Sequence, residues 1–167
     1  MTTMERTLRA SSSAKNGTPI VGAPGLTVEE KRYVELLADY CLLAQLRDPE
    51  SILEGAEFTV DGIDFRLSYA PQRWPGILCV WCDVGEVEEG EEERVYLALL
   101  QANLLRHDGS SSMMALCPET DQVISSTRLQ LKQLTAEKLD SVIRIMGREA
   151  VAWQENILKK PDQASRS

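Results

Sequence analysis

The stretch "EFTVDGIDFRLSYA", residues 57–70, constrains the fold more than any other. Asp61-Gly62 stands between two arms, Phe58–Val60 and Ile63–Tyr69, and this dipeptide suits the type I′ turn whose twist matches paired antiparallel strands. In the second arm Phe65, Leu67 and Tyr69 alternate with Asp64, Arg66 and Ser68, so one face packs and the other is wet. After the break "PQRWPG", a third strand is expected over Ile77–Val84, apolar on both faces.

Helices bracket these strands. "TVEE" is a capping box: the Thr27 hydroxyl accepts from the backbone while Glu30 reaches back, starting a helix that runs to about Leu46. Tyr33, Val34, Leu37, Tyr40, Cys41 and Ala44 form its core stripe, and Leu36, Leu43 and Leu46 widen the apolar surface beyond one contact. A second helix, about Glu92 to Arg106, is apolar nearly all round, which calls for cover on more than one side and most simply for a second chain. Two short strands follow, about Ser112–Cys117 and Gln122–Leu129. The last helix begins near Thr135 and places Leu139, Val142, Ile143, Met146, Ala150, Trp153 and Ile157 at helical spacing. The order helix-strand-strand-strand-helix-strand-strand-helix predicts an α+β fold, a twisted antiparallel sheet packed by helices, in one domain over residues 27–158. Residues 1–26 and 159–167 read as disordered tails.

Composition narrows the function. The tails are slightly basic, so the formal charge of −8 is concentrated between them, which argues against nucleic acid as a partner. No run approaches the roughly 20 apolar residues of a membrane span, and the N-terminus lacks a secretory h-region, so a cytoplasmic protein with reduced thiols is expected. "GEVEEGEEE" holds six glutamates without the ligand spacing of a calcium loop and reads as a solvated entry to the second helix.

Catalytic motifs are wanting. Cys79 and Cys82 have C-x-x-C spacing, but a strand turns their sulfurs to opposite faces, and no helix N-terminus follows to activate a thiol. Cys41, Cys117 and His107 supply no further metal-ligand spacing, and His107 is the single histidine on which a nucleophilic enzyme would have to be built. No G-x-S-x-G elbow or Gly-rich phosphate loop is present, and neither cofactor nor metal is expected.

Over "ERVYLALLQANLLRHDGSSSMMALCPETDQVISSTRLQLKQLTAEKLDSVIRIMGREAVAWQENI" the chain resembles the type III secretion chaperones of the CesT (Tir-chaperone) family. The likeness lies in the "L-x-x-N-L-L" close of the Leu-rich helix (Leu100, Asn103, Leu104, Leu105), the apolar hairpin after it and a closing helix with the late Trp153. With the upstream hairpin and third strand it spans about 27–158; the 26 N-terminal residues and the glutamate loop are additions with no assigned role.

The resemblance implies a homodimeric, acidic bacterial chaperone of the cytoplasm without ATPase activity, which holds the N-terminal segment of a secreted effector in extended form; components of the secretion apparatus are further implied partners. Strand addition at a sheet edge, with apolar side chains entering grooves, is the physical mechanism it suggests. Leu36, Leu43, Leu46, Phe58, Val60 and Phe65 are the candidate effector-binding residues, each reading equally well as ordinary core. Trp81, Leu97, Leu100 and Leu104 are the candidate dimer interface. Two other readings stay open: the same fold binding a bacterial regulator, and a small thiol-dependent redox enzyme.

Overall fold

The computed structural model describes residues 25–105 and 112–159. The expected tails, apart from positions 25, 26 and 159, and His107 lie outside the described residues.

The Asp61-Gly62 turn has φ of 51° and 81°, both positive as type I′ requires, and it joins β1 (Phe58–Val60) to β2 (Ile63–Tyr69). β3 (Ile77–Gly85) pairs with β2, β5 (Val123–Gln130) with β3, and β4 (Met113–Leu116) with β5, giving a five-stranded sheet of order β1-β2-β3-β5-β4, antiparallel throughout.

Alternation assigns the faces. Leu78, Val80, Cys82 and Val84 point inward from β3, in register with Phe65 and Leu67 of β2 and Ser125 of β5, and all are buried. Over this face lie α1 (Val28–Leu43) and α4 (Ala136–Trp153), which bring Tyr33, Leu37, Tyr40, Leu139, Ile143, Met146 and Ala150 to the core. Aromatic rings bridge helix to sheet: Tyr33 lies 5.0 Å from Tyr69 and Tyr40 6.0 Å from Phe58.

The helix ends show local physics at work. Thr27 and Glu30 form the reciprocal capping box at 2.8 and 3.2 Å. α1 ends at Leu43, three residues before the expected end, because Gln45 takes a left-handed φ of 54°. The Gln45 and Leu46 amides then donate back to Leu42 and Cys41, and Leu46 folds onto the core as the apolar residue of a Schellman close. A short α2 (Pro49–Leu53) follows, unanticipated although Asp48 caps it and Pro49 occupies its first position.

Between β3 and β4 runs α3 (Glu92–Leu105). The last described turn is a π turn, Gln154–Leu158, whose buried Leu158 packs against Gly85; the φ of 123° there is one that a side chain strains to adopt and glycine takes freely. Arg94 at the start of α3 donates to the carbonyls of Ile157 and Lys159 at 2.7 and 3.0 Å and pairs with Glu91, tying this turn down.

Phe65 is buried between the hairpin and α4, its ring 6.1 Å from that of Phe58 and beside Gly147. Phe65→Ala is expected to cost about 3–5 kcal/mol in urea unfolding; a loss under about 1 kcal/mol would contradict the placement of the core.

Candidate protein-binding surfaces

The thiols take the positions that strand geometry demands. Cys82 is buried on the inner face, where burial first, and the charges of Asp83 and Glu149 second, push its thiol up to about 12. Cys79 faces outward and is half-buried. Burial also raises Cys41. The two thiols lie on opposite faces of β3, Cys79 beside Arg128 of β5 and Cys82 in the core, so they cannot bond to each other across the strand. Among the described residues no cluster of three or more His, Cys, Asp or Glu side chains could hold a metal, and no helix is long and apolar enough to cross a membrane.

Apolar surface, in contrast, is abundant and ordered. α3 turns Val95 and Leu99 inward, four residues apart, which leaves the intervening spacing outward: Leu97, Leu100 and Leu104 are 56%, 70% and 73% exposed. They form one stripe along the solvent side of the helix. The outer face of the sheet continues this character. Met113 of β4, 63% exposed, is paired with Ser126 of β5, and Ser126 with the half-buried Trp81 of β3. At the far end Arg128 lies 4.3 Å and Arg73 5.5 Å from the Trp74 ring, around a shallow hollow of about 150 Å³ shared with Cys79 and Trp81.

A second region lies at the opposite edge of the sheet. Val60, Ile63, Ile143, Gly147 and Val151 line a groove of about 180 Å³ between the hairpin and α4. Arg144, bound to Asp61 at 2.9 Å and Asp140 at 2.8 Å, stands at its rim with Arg148.

Of the six residues expected to receive an effector, Leu36, Phe58 and Phe65 are interior, filling the space between sheet and helices. Val60 is buried on the groove floor, Leu46 is partly buried against the core, and Leu43 is 48% exposed at the end of α1. The structure therefore brings Val60 to one accessible hollow and leaves Leu43 on a separate patch with Leu42, which is 80% exposed. Sequence reasoning passed over Leu42, Ile143 and Val151. Leu42 follows the stripe logic only once the end of α1 is known; Ile143 reads as core and is fully buried behind the groove, and Val151, 37% exposed, lies outside the apolar stripe read for the last helix.

The profile of the Tir chaperone protein (CesT) family matches residues 54–154, from before β1 to the π turn. The chain belongs to the Tir chaperone family. Solved structures share this architecture. One chain of the ExsC–ExsE complex superposes with a TM-score of 0.64 at 20% identity, covering 81% of this chain and 99% of that one. For the HopA1–SchA chaperone–effector complex the values are 0.61, 12%, 78% and 98%. For the Yersinia pestis type III secretion chaperone SycH, solved with a fragment of YscM2, they are 0.55, 18%, 72% and 98%. No individually curated protein matches the sequence.

In this Tir chaperone the cysteines should report the two faces of β3 directly. Iodoacetamide at pH 8 is expected to label Cys79 and to spare Cys82 and Cys41 until denaturant is added. Equal labelling of Cys79 and Cys82 in the native protein would show that β3 does not hold its alternation.

Proposed function

We propose that this protein is a cytoplasmic, non-enzymatic chaperone of type III secretion that holds the N-terminal segment of a secreted effector in extended form, and that it works as a homodimer. Family membership supports the chaperone role, and HopA1–SchA is a solved chaperone–effector pair of the same fold.

The observation that carries the mechanism is the state of the β1 edge. The two-residue turn makes Val60 and Ile63 a hydrogen-bonded pair, so the next pair, Thr59 and Asp64, is a non-bonded one whose backbone groups point away from each other. Thr59 thus presents its N–H and C=O outward at the edge, while its hydroxyl donates to Asp64 at 2.6 Å across the pair. The Val60–Val151 groove lies beside it. An extended client strand would take backbone bonds from Thr59 and lodge an apolar side chain in the groove. Backbone pairing tolerates many sequences, which suits a protein that must hold a segment without folding it.

The dimer covers the remaining apolar surface. Leu97, Leu100 and Leu104, with Trp81 and Met113 on the outer sheet face, form a patch that a single chain leaves wet. A second copy buries it without new residue types.

Affinity purification from the native bacterium is expected to yield a secreted protein whose N-terminal segment resists protease only while bound. Thr59→Pro removes an outward N–H and the exposed hydroxyl bond to Asp64 but no ladder bond, so it should weaken that capture about tenfold or more while costing no more than about 1 kcal/mol in urea unfolding. Unaltered capture would move the client off β1. Leu100→Asp with Leu104→Asp should halve the particle mass in light scattering; a wild-type chain that is already monomeric would refute the dimer.

A further inference from the structure

The two edges of the sheet are finished differently. At β4 the Cys117 amide donates to Gln122 O at 2.8 Å, which makes that pair hydrogen-bonded and sets the alternation back along the strand. Ala115–Ile124 is then a bonded pair, and Met114–Ser125 a non-bonded one, so the Met114 N–H and C=O point away from the sheet. This is the position that Thr59 holds on β1. Here, however, both groups are taken by one side chain. Asn103, from the last turn of α3, donates its Nδ2 to Met114 O at 2.7 Å and accepts the Met114 N–H on Oδ1 at 2.9 Å.

A carboxamide is a peptide group on a side chain, with one acceptor and one donor in a plane. Asn103 therefore makes for β4 the two bonds that a neighbouring strand would make. No side chain among the described residues does this for Thr59. We propose that Asn103 decides which edge of the sheet accepts a strand: by closing β4 from within the chain, it confines strand addition to β1. The inference rests on the reading that the client binds as an added strand.

Physical reasons favour a guard at this edge. β4 carries the exposed Met113 and adjoins the apolar stripe of α3, so an open backbone there would sit beside the most adhesive surface of the molecule. Chemistry also singles out asparagine. Aspartate would keep an acceptor for the Met114 N–H but set a second oxygen against the Met114 carbonyl, and alanine would supply neither group. Asparagine is a weak helix former, and its place among leucines near the end of α3 is explained by these two bonds.

The test is amide exchange read by NMR on the full chain without client, paired with light scattering over a range of concentrations. In Asn103→Ala the Met114 amide should exchange roughly tenfold faster than in wild type, with the Thr59 amide unchanged. Asn103→Ala and the nearly isosteric Asn103→Asp should both form particles heavier than wild type as concentration rises, through strand pairing at β4. Wild-type exchange at Met114 in Asn103→Ala, or wild-type particle mass for both variants, overturns the proposal. Neither readout involves a client, so failure to capture an effector would leave this result standing, and normal capture would not rescue it.

Discussion

Every other feature depends on the packing of the inner face of β3 against α1 and α4. Leu78, Val80, Cys82 and Val84 are buried there, and a strand has only two faces. Committing these four to the helices commits Ile77, Cys79 and Trp81 to the other side, which neither α1 nor α4 reaches. The C-x-x-C spacing, the half-buried tryptophan and the unfilled outer face are therefore one fact seen three ways. A slip of one residue would exchange the two sets and turn the buried thiol outward.

From this constraint the chain acquires two kinds of unfinished surface. One is apolar and broad, the outer sheet face with the stripe of α3; the other is narrow and polar, the bare backbone of β1 beside a small groove. The first suits an identical chain, since a twofold interface requires a patch that complements itself. The second suits an extended segment of varied sequence. The tie between Arg94 and the carbonyls of Ile157 and Lys159 holds the start of α3 against the last turn, which fixes where the apolar stripe points. Of the six glutamates between positions 86 and 93, Glu91, just ahead of this helix, pairs with Arg94.

Much of this was legible in the residues. Asp61-Gly62 sets the register of β1 and β2 because few turns suit so short a loop, and the 3.6-residue period of α4 has no competing reading. What period alone could not decide is which of two apolar sides faces inward. Leu36 and Phe65 are interior, whereas Leu97 and Leu100 are exposed, yet all four are apolar residues on amphipathic elements. The distinction is made by where α3 stands relative to β4, a tertiary fact. The end of α1 was hidden because its left-handed residue is Gln45, where glycine is the usual signal. Asn103 was visible as part of a helical motif, but its role follows from a ladder alternation that exists only once β4 and β5 are paired.

In the proposed working protein a second copy covers the outer sheet face and the α3 stripe, both wet in a single chain. Hydroxyl-radical footprinting of the purified protein, without client and at micromolar concentration, tests it most directly. Met113, Leu97, Leu100 and Leu104 should be modified far less than their exposure in the single chain implies, while Leu42 on α1 is modified fully. Strong modification of Met113 and the three α3 leucines, equal to that of Leu42, would contradict the account.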